Sequence, residues 1–272
     1  MKTTMPMIVL LDVGNTRVKL GWQHAELGRE PVSLALALHP PEALIETLRA
    51  WLAALPMQPV AAQGVNVAGT AVARLIEDTF FEAGCPIQWL VPTAEALGVR
   101  NGYSQPGQLG ADRWAALLGL AQQAQPFTQG ADNRHPPFVL ATFGTATTID
   151  TLGPDQVFEG GLILPGPALM CQSLAHGTAN LPLASGPGSS FPKDTLQAIS
   201  TGMVAAQAGA VWRQCQIAEN YYGLAPVLFV SGGGWPDVEA EVSRILGQLK
   251  IQVLANPVLD GLARLARCPL PG

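Results

Sequence analysis

The sequence predicts an α/β protein made of two similar halves, and three observations carry that expectation. Short apolar strands alternate with helix-periodic stretches along nearly the whole chain. Two strand–turn–strand segments match each other, Leu11–Thr16 aligning with Ala141–Ala146 so that Gly14 falls on Gly144. At 272 residues the chain is also long enough for two middling domains that need no disulfide or metal staples.

The elements follow in order. Met7–Asp12 is a continuous apolar run too short for a helix, and so a buried strand. Gly14 and Asn15 break it, and Thr16–Trp22 resumes as the second arm of a hairpin. Pro31–Leu38 is a third strand. Pro41–Leu55 sets Leu44, Ile45, Leu48, Leu52 and Leu55 on one helical face. Val60–Val67 and Ile87–Val91 are strands around a helix at Ala71–Ala83, and Leu109–Ala124 is rich in strong helix formers. The polar loop Gln125–Pro137 is the expected boundary, giving domains at 1–125 and 137–272. The second half opens as the first does, with strands at Phe138–Thr142, Ala146–Leu152 and Gln156–Leu164. Helices at Gly166–His176 and Thr195–Tyr221 follow, then a strand at Val227–Val230 ended by Ser231-Gly232-Gly233-Gly234. A helix at Pro236–Leu249, a strand at Ile251–Leu254 and a helix at Val258–Ala266 close the chain.

Composition narrows the function. Only 13% of residues are charged, about half the ordinary share of ~25%, while 48% are hydrophobic. That excludes a disordered chain, a coiled coil and a polybasic nucleic-acid binder. With four lysines and a net charge of -5, an anionic ligand must be held locally rather than by a general positive field. No apolar run reaches the ~18 residues of a spanning helix. The apolar start is short, interrupted by Pro6 and ended by Asp12, unlike a signal peptide. A cytoplasmic chain is expected, with Cys85, Cys171, Cys215 and Cys268 as reduced, mostly buried thiols.

There is no Walker A loop, and no G-x-G-x-x-G follows a strand. The sharpest local signal is instead Asp12–Lys19. An acid at the end of a buried strand is costly unless it is hydrogen-bonded or holds a cation. Gly14 admits close backbone approach, and Asn15, Thr16, Arg17 and Lys19 can grip a phosphate. Alone, the segment reads first as an ordinary hairpin turn, since Asn and Gly are favoured turn residues. Gly144 and Thr145 are the matching clamp, and Asp150 a carboxylate for the magnesium side; the same threonine run also suits plain strand packing. The Ser231–Gly234 run leaves room for a flat ring or ribose, or is a tight turn. Asp112 is either a dipole-stabilised acid opening a helix or a general base beside the substrate-binding Arg113.

The blocks Asp12–Lys19, Tyr103–Arg113, Gly144–Asp150 and Glu159–Gly166, in this order and spacing, resemble type III pantothenate kinases, a family that includes proteins called Bvg accessory factors. The resemblance covers essentially the whole chain. It implies two ribonuclease-H-like halves of the acetate kinase, sugar kinase, Hsp70 and actin superfamily, with ATP in an inter-domain cleft. It also implies transfer of the ATP γ-phosphate to pantothenate, the first step of coenzyme A biosynthesis.

Residue by residue, Asp12, Val13, Gly14, Asn15, Thr16, Arg17, Val18 and Lys19 resemble the first ATP-binding loop, with Asp12 at the magnesium. Thr145 resembles the threonine of the second loop that touches ATP. Tyr103, Gly110, Ala111, Asp112 and Arg113 resemble the pantothenate-binding stretch, in which the aspartate accepts the proton. Thr195 resembles a further substrate contact, although Pro192 and Asp194 replace a glycine and an asparagine around it. The family commonly carries an aspartate where this chain has Thr142, and that aspartate helps to bind potassium or ammonium. Weak dependence on a monovalent cation is therefore expected. The resemblance further implies a homodimer whose partner chain completes the substrate pocket. Two rivals stand beside this reading: a related kinase with another small hydroxyl substrate, and a non-enzymatic regulatory accessory protein.

Overall fold

The computed structural model describes residues 6–30, 32–127 and 135–267. They divide into two compact units, one running to Gln122 and resuming at Asn256, the other spanning Gln123–Ala255. Cys268, expected as a reduced thiol, and the middle of the loop expected at Gln125–Pro137 lie outside the described residues.

In the first unit, β1 (Ile8–Val13) and β2 (Arg17–His24) form the expected antiparallel hairpin, with Asp12 directly opposite Lys19. The strand expected at Pro31–Leu38 is present in shorter form as β4 (Leu34–Ala37), and an upstream two-residue strand, β3 (Gly28–Arg29), also pairs with β2. Helix α1 (Pro41–Ala53) buries Leu44, Leu48 and Leu52. Then β5 (Ala61–Asn66) runs parallel to β1, α2 (Thr70–Glu82) buries Ile76 and Phe80, and β6 (Ile87–Trp89) runs parallel to β5. Alternation places Val9, Leu11 and Val13 in the core under α1 and α2, so Leu10 and Asp12 face the other side of the sheet.

A small hairpin that the sequence did not signal follows, β7 (Glu95–Ala96) with β8 (Val99–Asn101). Its two turn residues, Leu97 and Gly98, have φ of 51° and 78°, the primed turn that suits strand twist. Leucine is not a turn former, which is why the pattern hid it. Helix α3 (Ala111–Ala121) is buried without interruption from Arg113 to Leu120.

The second unit repeats the plan. Strands β9 (Phe138–Phe143), β10 (Ala146–Leu152) and β11 (Val157–Pro165) form an antiparallel meander. Helices α4 (Pro167–Gly177) and α5 (Thr195–Tyr222) come next. Asp194 caps α5 by accepting from the Gln197 amide at 2.9 Å, and Gly223 ends it at a φ of 67°. Strand β12 (Val227–Ser231) runs parallel to β9, and after α6 (Trp235–Leu246) strand β13 (Ile251–Val253) runs parallel to β12. The strand order β3-β2-β1-β5-β6 of the first unit is thus matched by β11-β10-β9-β12-β13 in the second. In the second core, Val139, Ala141 and Phe143 pack under α4, α5 and α6, leaving Leu140 and Thr142 on the opposite face.

The expected division, 1–125 and 137–272, needs one correction. The closing helix α7 (Pro257–Ala266) belongs to the first unit. It packs along α3, where Arg264 donates to the Leu118 carbonyl. Asp260 pairs with Arg29, and Arg267 donates to Gln23 at 3.1 Å. These long-range contacts fasten a segment that chain order alone assigns to the second half. Of the thiols, Cys85, Cys171 and Cys215 are free and buried, and burial pushes Cys85 and Cys215 up to about 12, away from reactivity. Among the described residues, no helix is long and apolar enough to cross a membrane.

Candidate active site

The first turn is closed by the Gly14 amide donating to the Arg17 carbonyl at 3.0 Å, which leaves Gly14, Asn15, Thr16 and Arg17 at the surface or near it. Val13 and Val18 are the buried rung beneath this turn, and they anchor it rather than offering polar atoms. One rung further in, the Lys19 ammonium stands 3.4 Å from Asp12 Oδ2. Asp12 is only 8% exposed, and burial foremost holds its carboxyl above the usual aspartate range. Lys19 opposes that shift, and the nearby charge of Asp112 adds to it. Two carboxylates with one lysine therefore converge on the same face of this unit.

Asp112 lies in the first turn of α3, after Gly110 and Ala111. Its Oδ1 accepts from the Arg113 amide at 2.8 Å, and Gly110 leaves it room, since a Cβ there would stand 2.6 Å from that oxygen. Arg113, 6% exposed, donates from Nη1 to the Tyr103 hydroxyl at 2.9 Å, and its guanidinium lies 5.7 Å from the Tyr103 ring centre. The expected acceptor segment is thus gathered in one unit beside Asp12.

The second turn is built differently. The Gly144 amide donates to Ala146 at 3.0 Å, and Thr145 is exposed. Two glycines press against this turn. The Gly166 amide donates to the Thr145 carbonyl at 2.9 Å, and a Cβ on Gly166 would stand 2.0 Å from the Gly144 carbonyl oxygen. Gly232, at a φ of 94°, would place a Cβ 2.3 Å from the Phe143 carbonyl oxygen, which also accepts from the Gly234 amide at 2.9 Å. The glycine run after β12 is thereby packed onto the end of β9. Thr142, which takes the place of Asp12 in this unit, pairs in register with Thr148 and Ser231, so the rung holds hydroxyls only.

Two expected residues are placed elsewhere. Asp150 is 1% exposed, in mid-strand between Leu140 and Gly161 and about 14 Å along β10 from the turn. Thr195 is the exposed first residue of α5, on the wall of a cavity of about 820 Å³ with Met170, Leu174 and Lys193. Sequence reasoning missed Asn101, whose side chain holds the loop that carries Tyr103; the Asn101-Gly102 pair was the available turn signal.

Among the described residues, no cluster of three or more His, Cys, Asp or Glu forms a metal cage. Asp12, paired with Lys19 at 3.4 Å, is a carboxylate that could hold a magnesium ion together with phosphates and water.

Comparison with known proteins bears on this geometry. The sequence model of the type III pantothenate kinase family matches residues 8–217. A type III pantothenate kinase of Bordetella petrii is 50% identical over 273 residues, covering 97% of this chain and 99% of that one. One from an Azoarcus species is 38% identical, covering 96% and 90%. Among solved structures, a putative Baf family transcriptional activator from Campylobacter jejuni superposes with a TM-score of 0.53 at 18% identity, covering 94% and 96%. A chain of a PilM–PilN type IV pilus biogenesis complex superposes with a TM-score of 0.55 at 11%, covering 96% and 99%, a likeness of fold alone. On the family model and the identity of its relatives, the chain belongs to the type III pantothenate kinase family.

Proposed function

We propose the following division of labour for the ATP-dependent phosphorylation of pantothenate to 4'-phosphopantothenate, the first step of coenzyme A biosynthesis. The convergence of Asp12, Lys19 and Asp112 in one unit, with Tyr103 and Arg113 alongside, is the observation that carries it. Asp112 accepts the proton of the primary hydroxyl as its oxygen bonds to the γ-phosphorus and the bond to ADP breaks. Arg113 and Tyr103, with Gly110 and Ala111, hold the acceptor. The turn Asp12–Lys19 and Thr145 bind the phosphates. Magnesium, when bound, neutralises phosphate charge, and Asp12 is its first carboxylate. Asp150 lies too deep for direct contact and is left an indirect role.

Thr142 and its hydroxyl neighbours are a poor match for a monovalent cation that prefers carboxylate, so weak potassium dependence remains the proposal. A homodimer is proposed as well. Leu174, 39% exposed, lines the cavity that bears Thr195, and Leu169 on α4 and Leu196 on α5 are 41% and 48% exposed, an apolar surface suited to a second copy. Sedimentation of the purified chain tests this, and a monomer at micromolar concentration overturns it.

The test of the function is direct. Purified protein with ATP, magnesium and pantothenate, with and without potassium, yields 4'-phosphopantothenate. ATP consumption with another small hydroxyl compound but not with pantothenate favours the related-kinase reading, and no consumption favours the accessory protein.

A further inference from the structure

The loop between β8 and α3 carries Tyr103 yet has almost no regular structure of its own. A single 3₁₀ turn at Pro106–Gln108 leads through Leu109 into Gly110 and the helix that bears Asp112. One side chain makes several of the contacts that tie this loop down. Asn101, the last residue of β8, accepts from the Tyr103 amide at 3.1 Å through Oδ1. Its Nδ2 donates to the Thr93 carbonyl at 3.3 Å and to the Pro106 carbonyl at 3.2 Å. Its own amide donates to Ala94 at 2.9 Å.

The amide group is therefore used on both sides, with two donors aimed at carbonyls and an acceptor aimed at an amide. Only one orientation of the group satisfies all three partners. Aspartate offers no donor, serine too short a reach, and glutamine one carbon too many. The consequences run to the site along two routes. One fixes the backbone of Tyr103, whose hydroxyl meets Arg113, the neighbour of Asp112. The other fixes Pro106, the start of the turn that delivers the chain to Gly110.

We propose that Asn101 is a positioning residue for the acceptor side of the reaction, setting Tyr103 and the start of α3 without itself touching substrate. The proposal rests on the reading that Tyr103–Arg113 receives pantothenate. It separates acceptor binding from nucleotide binding, because the turn at Asp12–Lys19 is held by its own hydrogen bonds.

Steady-state kinetics of Asn101→Ala, Asn101→Asp and Tyr103→Phe, with pantothenate and ATP varied separately, test it. Asn101→Ala raises the KM for pantothenate on the order of tenfold or more, leaving the KM for ATP within about twofold. Asn101→Asp, which keeps the acceptor for Tyr103 but turns a carboxylate oxygen toward the Thr93 and Pro106 carbonyls, raises the KM for pantothenate at least as much as Asn101→Ala. In the double variant with Tyr103→Phe, Asn101→Ala costs less than it does alone, since the two act through one contact. An unchanged KM for pantothenate, an equal rise in both KM values, or a lower kcat with lower melting temperature and unchanged KM values overturns the proposal. If Asn101→Ala does not fold, Asn101→Asp decides by the same split. Failure of the underlying reading is seen separately: Tyr103→Phe then leaves the KM for pantothenate unchanged, and the role of Asn101 falls with it.

Discussion

The two units share a strand order but equip their first turns in opposite ways. In the first, the rung below the turn sets Asp12 against Lys19, and a third charge, Asp112, stands close by. In the second, the same rung is Thr142, with Thr148 and Ser231 on either side. Packing differs too. A Cβ on Gly14 would meet only the Arg17 carbonyl oxygen, at 3.4 Å, whereas the second turn is pressed by Gly166 and Gly232. One half offers charge on an open turn, the other hydroxyls and backbone amides on a caged one. A topology that fixes where a turn sits leaves its chemistry free.

The contrast is broken most severely at Asp112. Asp112→Asn should lower kcat by ~10²–10⁴, the usual worth of a general base, while ATP binding measured by titration stays near wild type. Turnover within a few-fold of wild type would make Asp112 a dipole-stabilised acid and nothing more. Next comes the cage. Gly232→Ala forces a side chain into backbone at positive φ, costing roughly 1–3 kcal/mol in strain and a similar amount in overlap. Urea denaturation should show that loss for Gly232→Ala and a much smaller one for Gly14→Ala. Equal losses would mean that the two turns are packed alike.

These differences mark what the sequence could reveal. The matching turns were legible because Gly14 and Gly144 recur with the same strand spacing, and the register Val13 to Phe143 follows from it. The burial of Asp12 was legible from an acid ending an apolar run. The cage was not, because Gly166 and Gly232 are distant in sequence from the turn they touch. Nor was the home of α7, which depends on Asp260 and Arg264 meeting Arg29 and Leu118. Asn101 escaped because its partners, Thr93, Tyr103 and Pro106, are backbone groups with no side-chain signature. Asp150 is the converse case: an acid two residues past a threonine run reads as a ligand site, and its burial to 1% exposure in mid-strand was not legible from that pattern.

A subtler probe transfers charge to the neutral half. Wild-type rates in potassium and sodium buffers should agree within about twofold, a barrier difference near 0.4 kcal/mol. Thr142→Asp, by giving the second rung the carboxylate of the first, should create stimulation by potassium over sodium. Wild-type activity that vanishes in sodium and returns with potassium would show that the hydroxyls of Thr142, Thr148 and Ser231 suffice to hold the ion.

The smallest effect concerns stability rather than rate, and it isolates the charged turn. Burial, seconded by Asp112, holds the Asp12 carboxyl above its ordinary range despite Lys19. A carboxyl raised in the fold stabilises it while protonated, below the unfolded value near ~3.9, and that contribution is lost as pH rises through the folded value. At pH 8 in EDTA the wild type therefore carries a buried charge that Asp12→Asn does not. The variant should melt above wild type there, and the gap should close as pH falls through the aspartate range. Lys19, whose side chain is 32% exposed, stays solvated when its partner is neutral. Magnesium with ATP should raise the melting temperature of wild type more than that of the variant, because Asp12 then has its counter-charge. A variant that melts below wild type at pH 8 would mean that the pairing with Lys19 outweighs burial. The first turn would then be held by its ion pair, and not kept strained for a cation still to arrive.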